Sequence, residues 1–335
     1  MILGVISSRS VQHHALAAHF VNDVQTSSNI RRIERFFKEQ VIAFGSLARI
    51  LLEMITLPYK FDLVMDRTNW EFGKSPINFL VLSVLVDNKH GVPLFWRVLP
   101  KQGTSNSSEQ MDLIQKFVDV FGADRIQSLM ADREFVGEKW LCLLYDQRIP
   151  FYIRMKKNRL GEWGEEDKPL AFFFQHLKTG EKRLLYKEIK GRKLSLAGTR
   201  SQAGKLVIIM TNQLHHKGTN ILKTYTKRWT IECLFKNTKS NGFNLESTHV
   251  TYPDKLEKLM AVIAVATAIC IRAGQWQEKI KPTIYKKTVK APLYSTFRRG
   301  FDALRRWLTD LKNILTILYT VNPLENKEFS KNVGW

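Results

Sequence analysis

A mixed α/β fold is predicted, with the element order β-β-β-α-β-α-β, a β-rich insertion, a further helix, and helical regions on either side. Three observations carry it. Between residues 61 and 99, three apolar runs are parted by two short turn clusters, the pattern of an antiparallel meander. Beyond residue 105 the hydrophobic period switches back and forth between helix and strand. Of the 335 residues, 44% are hydrophobic, enough to bury a sizeable core in one large domain or a few smaller ones.

The elements follow in order. Residues 1–45 are helical in pattern. Within them "SSNIRRIERFFKEQ" follows a candidate cap at Ser27 or Ser28; Ile30, Ile33, Phe36 and Phe37 form one face, and Arg31, Arg32, Arg35 and Lys38 project elsewhere. "FDLVMD" (61–66), "NFLVLSVLVD" (78–87) and "VPLFWRVL" (92–99) read as strands, separated by linkers with Gly73, Pro76, Asn88 and Gly91. A helix over 107–121 is opened by Ser107 or Ser108. Strand 126–132, helix 137–147 and strand 150–156 complete the alternation. Residues 157–205 hold short candidate strands among charged turns, and "KLVIIMTN" (205–212) reads as a buried strand. Helices are expected over about 219–240, over 254–274 (apolar on most sides) and over 297–311.

Charge narrows the function. Lys plus Arg number 52 against 31 Asp plus Glu, a formal charge of +21 spread along the chain. A globular protein this basic most often meets a polyanion, with nucleic acid first; a ribosome- or membrane-adjacent protein, or charge without a partner, is the alternative. Cys142, Cys233 and Cys270 have no metal or redox spacing, which argues for a reducing cytosolic compartment. "MILGVISSRS" has too short an apolar run for a signal. The apolar stretch 259–271 is too short to span a membrane.

Two acids stand where strands are expected to run out, Asp66 at the end of "FDLVMD" and Asp132 at the end of "LMAD". Aspartate also ends strands merely because it suits turns and caps. The element order, however, matches the ribonuclease-H-like arrangement, in which the first and fourth strands are neighbours. Asp66 and Asp132 would then meet at one sheet edge. Adjacent carboxylates repel unless a proton or cation lies between them, and hard oxygen ligands select Mg²⁺ or Mn²⁺.

A third acid comes from "YTKRWTIECLFKNTK" (225–239). At about 100° per residue, Tyr225, Arg228, Glu232 and Lys239 fall within an arc of roughly 60° on one helix face. Glu232 could reach the aspartates, and the cations and phenol could hold a nucleic-acid backbone beside them. A solvated helix face with charge pairs is the plain alternative.

The spacing Tyr-x2-Arg-x3-Glu-x6-Lys resembles the Y-R-E-K signature of DDE transposases of the insertion-sequence-four family. "MDRTNW" around Asp66, "ADREF" around Asp132 and "IPFYIRMKKN" are similar to that family's motifs, over about residues 29–312. The resemblance implies Asp66, Asp132 and Glu232 as a catalytic triad binding Mg²⁺ or Mn²⁺, with two ions. It implies Tyr225, Arg228 and Lys239 as contacts to transposon-end phosphates. Arg31, Arg32 and Arg35 are the candidate end-binding contacts ahead of the first strand. The implied reaction is DNA cleavage by activated water, then joining of the freed 3′-OH to target DNA. A homodimer in a synaptic complex and a place in the bacterial cytosol, on the nucleoid, are implied with it.

The implied organisation is a helical DNA-binding segment (1–58), a ribonuclease-H-like catalytic domain (59–156 and 213–250), a β-rich insertion (157–212) and a basic helical segment (251–335). Several hairpin-forming relatives begin the strand ending in "TN" with a tryptophan; Val207 stands there in this chain, and Trp163, elsewhere in the insertion, could serve instead, though a packing role suits it better. Two other readings remain: a domesticated or inactive DNA-binding derivative, and a ribonuclease-H-like nuclease acting on branched DNA. A two-carboxylate glycosidase would explain neither the +21 charge nor the cations around Glu232.

Overall fold

Four helices precede the sheet: α1 (Ile2–Ser8), α2 (His13–Ala17), α3 (Thr26–Glu39) and α4 (Phe44–Glu53). The computed structural model describes residues 1–310 except 21–23, 74, 159–167, 190, 284 and 286–291. In α3, Ile33 and Phe37 are buried while Ile30 and Phe36 pack at the margin, as the apolar pattern predicts. The helix starts after Gln25 with no side-chain cap, so Ser27 and Ser28 lie inside its first turn.

The next elements are β1 (Phe61–Phe72), β2 (Ser75–Leu85), β3 (Gly91–Val98), α5 (Ser107–Phe121), β4 (Ile126–Ala131), α6 (Glu138–Asp146) and β5 (Phe151–Arg154). This is the predicted order. The cap of α5 is Asn106, not a serine. Asn106 Oδ1 accepts the Glu109 N–H at 2.9 Å, and the Glu109 carboxylate accepts the Asn106 N–H at 2.7 Å. That reciprocal box needs a short acceptor three residues ahead of Glu109, a position only Asn106 holds.

Strands β6 (Lys182–Ile189), β7 (Arg192–Arg200) and β8 (Leu206–Thr211) continue the same sheet. Its order is β3-β2-β1-β4-β5-β8-β7-β6. β4 runs parallel to β1 and β5, and the other neighbouring pairs are antiparallel. These three strands therefore extend the sheet beyond β5. Asn212, just past β8, ties that seam: its amide donates to the Ile149 carbonyl at 2.8 Å, and its carbonyl accepts the Phe151 N–H at 3.2 Å.

Alternation along β1 sends its residues to opposite faces. Leu63 and Met65 join the larger core with Leu113 and Phe117 of α5 and Trp140 of α6. On the other face, Val64, Met130, Tyr152 and Ile209 lie under Ile221, Ile231 and Leu234. Those last three come from α7 (Gly218–Thr226) and α8 (Trp229–Thr238). A single helix was expected there. The chain does stay right-handed through Lys227 and Arg228. Around that joint, however, the N–H groups of Lys227, Arg228, Thr230 and Ile231 bond carbonyls three residues back. The tightened turn rotates α8 against α7.

The helix expected over 254–274 is longer, α9 (Pro253–Ile280), and it closes the edge of β3. Trp96 Nε1 donates to the Glu257 carbonyl at 3.0 Å, and the Val98 N–H donates to the Glu257 carboxylate at 3.1 Å. An edge strand is thereby given partners that would otherwise be sought elsewhere. α10 (Thr296–Thr309) crosses α9 at Gly274 and Gly300, where a Cβ would collide with the carbonyls of Thr296 and Cys270. Residue 311 of the expected last helix, and Trp163, lie outside the described residues. No described helix is long and apolar enough to cross a membrane.

Candidate active site

Asp66 does not end its strand. It pairs with Val81 of β2 in the middle of β1, whose ladder with β2 continues to Phe72. What stops at that level is β4: its pairing with β1 ends at Met65 and Ala131, and Asp132 follows directly. The rim on which both aspartates stand is thus made by one strand stopping while its parallel neighbour continues. Asp66 lies on the same face of β1 as Val64, under α7 and α8.

The expected clustering of Asp66 and Asp132 leaves an electrostatic mark. Burial pushes the Asp66 carboxyl up from 3.8 to about 6, with the charges of Asp132 and Glu134 adding to it. The Arg67 backbone N–H, donated to Asp66 Oδ1 at 2.8 Å, and the Arg228 guanidinium work the other way.

Arg228 links the third acid to the first. Its Nη1 donates to Asp66 Oδ2 at 2.9 Å, and its Nη2 donates to Glu232 Oε1. Burial disfavours its charge, but Tyr225, Asp66, Asp132 and the bond to Glu232 together hold its pKa above the ordinary value. Tyr225 Oη lies 3.5 Å from Asp132 Oδ1, and burial keeps the phenol protonated well past its usual range. Tyr225 and Arg228 therefore stand beside the aspartates, and Glu232 is linked to Asp66 through Arg228.

Lys239 is placed apart. It is the residue after α8, where the backbone has left the helix. Its ammonium meets Glu246 Oε1 at 2.7 Å and the Asn69 carbonyl at 3.3 Å, and it sits 5.4 Å from the Trp70 ring centre. α8 ends at Thr238, so Lys239 finds its partners beyond the helix and apart from the other three. Among the described residues, no three His, Cys, Asp or Glu side chains close into a ready metal cage. The cation shared by Asp66 and Glu232 in this structure is the Arg228 guanidinium.

Two ion pairs beside the site escaped sequence reading. Arg67 Nε and Nη2 donate to the Glu134 carboxylate at 3.2 and 3.4 Å, and Arg67 Nη1 donates to Asn78 Oδ1 at 3.0 Å. Lys227 Nζ donates to Asp62 Oδ2 at 2.6 Å. The repeated "DR" in "MDRTNW" and "ADREF" was a signal for the first; Asp62, four residues before Asp66 and so on its face, was one for the second.

Arg31, Arg32 and Arg35 are exposed on α3, and none of them bonds to Asp66, Asp132 or Glu232 among the described contacts. Arg31 and Arg35 line a cleft of about 740 Å³ with Lys38, His249, Tyr252 and Lys255, while Arg32 lies over the Phe20 ring.

Residues 62–269 match the family described as a transposase DDE domain. No curated protein matches the chain in sequence. Among solved structures, a piggyBac transposase synaptic complex with hairpin DNA aligns at 13% identity and a TM-score of 0.42, over 90% of this chain and 65% of that one. The chain thus spans slightly less than two thirds of that transposase's length. Endonuclease V from Bacillus subtilis aligns at 10% identity and a TM-score of 0.25, over 71% of this chain and 90% of that one. The NurA nuclease from Sulfolobus solfataricus aligns at 13% and 0.25, over 77% and 96%. Likenesses this distant carry no functional argument; the family match over residues 62–269 does.

Proposed function

The chain belongs to the DDE transposase family, and we propose that it is an insertion-sequence transposase of the insertion-sequence-four type, cutting and joining DNA at Asp66, Asp132 and Glu232. The observation that carries this reading is the Arg228 guanidinium held between Asp66 and Glu232, with Asp132 beside Asp66 at the rim. Two stand where β4 stops beside β1, and the third is joined to the first through Arg228. The strand order β3-β2-β1-β4-β5 supports a ribonuclease-H-like core.

The donor set fits Mg²⁺ or Mn²⁺, two ions being the number that three carboxylates serve in phosphoryl transfer. All the donors are hard oxygens, and at Asp66 burial and the neighbouring acids together outweigh Arg228, so the carboxylate still gains from a cation. Lewis acidity toward the scissile phosphate and the attacking oxygen is what such ions would supply. Arg228, released from the acids as their charge is met, would hold a transposon-end phosphate. Tyr225, kept protonated, would donate to the same backbone, and Lys239 would add a second cation beyond the end of α8. Val207, on β8, offers no aromatic face for a flipped base, so the reading stops at cleavage and strand transfer.

In this reading Arg31, Arg32 and Arg35 contact the transposon end from the helical segment that spans residues 1–58. Residues 59–156 and 213–250 form the catalytic domain, 157–212 the insertion and 251–335 the basic helical segment. Two chains would pair to hold two ends together.

The test is cleavage of a supercoiled plasmid carrying the element's ends, with Mg²⁺ and with EDTA. Cleavage should require the metal. Glu232→Gln should keep end binding and lose strand cleavage. Cleavage of branched DNA without regard to the ends would favour the nuclease reading instead, and end binding without any cleavage the inactive derivative.

A further inference from the structure

Lys227 and Arg228 are consecutive, yet they reach opposite ends of one strand segment. Arg228 Nη1 donates to Asp66 Oδ2 at 2.9 Å, while Lys227 Nζ donates to Asp62 Oδ2 at 2.6 Å. Asp62 and Asp66 lie on the same face of β1, about 13 Å apart along it. The second oxygen of Asp62 accepts the Ser128 hydroxyl at 2.5 Å, and Ser128 is buried in β4 directly opposite Asp62. The two strands that carry Asp66 and Asp132 and the joint that leads to Glu232 are therefore tied at one point, on the sheet face below the acids.

We propose that Lys227 and Asp62 are positioning residues, which set Glu232 and Arg228 against Asp66 by pinning the joint between α7 and α8. The joint needs an outside hold. Its hydrogen bonds run to the third residue back, a poorer geometry than the α-helical bond, so its own backbone fixes the angle of α8 weakly. Two splayed cations on one strand fix both the height of the joint and its rotation. A slip of one residue would break both bonds, and Glu232, one turn into α8, would move with it. The ammonium of Lys227 is held by Asp62, and its role here is to place the joint, which its salt dependence can tell from a phosphate contact. With its side chain 33% exposed and that of Asp62 22%, the pair adds little to overall stability. Its value is in placement.

The inference rests on the reading of Asp66, Asp132 and Glu232 as the metal site, and its test separates the two. Lys227→Met, Asp62→Asn and Lys227→Arg are made in the full chain. Mn²⁺ binding is followed by electron paramagnetic resonance without DNA; end binding with its salt dependence, thermal unfolding and plasmid cleavage are measured alongside. Lys227→Met and Asp62→Asn should each weaken Mn²⁺ binding and slow cleavage by roughly 10–100-fold, the usual cost of losing an outer-shell partner. End binding, its salt slope and the unfolding midpoint should stay put, and Lys227→Arg should restore most of the loss. Unchanged Mn²⁺ binding and cleavage in both variants overturns the proposal. So does a shallower salt slope in Lys227→Met alone, which would make the lysine a phosphate contact, and so does a loss that tracks unfolding and is not rescued by arginine. If the unaltered protein binds Mn²⁺ but cleaves nothing, the transposase chemistry falls, and the Mn²⁺ comparison still decides the role of Lys227.

Discussion

Arg67 and Glu134 face each other across the rim of the candidate site, with Arg67 Nε 3.2 Å from Glu134 Oε1. One directly follows Asp66 and the other lies two residues past Asp132. The pair closes the gap that opens where β4 stops and β1 runs on. It is mostly buried, and Arg67 is also bonded to Asn78, whose amide donates to the carbonyls of Lys101 and Gly103.

Removing one partner should therefore cost more than an exposed pair would. Among the described residues, Arg67→Met leaves Glu134 with only Ser105, 3.5 Å away, as a side-chain donor, and should destabilise the protein by about 2 kcal/mol. Urea unfolding measures it. The double variant Arg67→Met/Glu134→Gln should recover part of the loss, because no uncompensated charge is left in place; a double variant as unstable as the sum of the singles would count against a direct pair.

Arg228 is predicted to act with opposite signs on two ligands. In the DNA-free protein its guanidinium competes for the carboxylates of Asp66 and Glu232. Arg228→Ala should tighten Mn²⁺ binding by about tenfold, the effect of removing one nearby cation. The same variant should bind transposon ends more weakly and with a shallower dependence on salt, since one phosphate contact is lost. Calorimetric metal titration and filter binding over a salt series read the two effects separately.

Asp66 should make the metal-free protein less stable as pH rises. Its folded pKa is about 6 against 3.8 in the unfolded chain, so the folded state holds the proton more tightly. Stability from this group is full below the unfolded value and falls through the window up to about 6. The drop amounts to about 3 kcal/mol. Urea unfolding in EDTA across that window should show the decline, and Asp66→Asn should flatten it. A decline of the same size in the variant would assign the effect to another group.

The crossing of α9 and α10 should tolerate no side chain. A Cβ at Gly300 would meet the Cys270 carbonyl and the Gly274 amide nitrogen, both backbone atoms that cannot swing aside. Gly300→Ala should cost about 1–3 kcal/mol by forcing the helices apart, despite alanine's better helix propensity. Thermal unfolding reads it; an unchanged midpoint would mean the helices separate at no cost.

Much of this molecule is dictated locally. The meander, the alternation that follows and the apolar faces of α3 and α9 come from residue periods of two and 3.6, which neighbours in the chain impose on one another. Asp66, Asp132 and Glu232 stood out for the same reason, as acids set against apolar runs with other polar groups at regular offsets. The cap of α5 was misplaced by one or two residues because serine and asparagine are near equals as caps, and only the partner Glu109 separates them.

What tertiary structure decided was how the elements register. Asp66 is at a rim because β4 stops beside it, a fact about another strand. The joint at Lys227 and Arg228 tightens where its cations find Asp62 and Asp66 across the sheet. Lys239 leaves the helix face and pairs with Glu246. Each depends on a partner whose distance in space is set by strand pairing and helix packing. Local period carries no record of that distance, so a single sequence could name the chemical groups but not which of them would be neighbours.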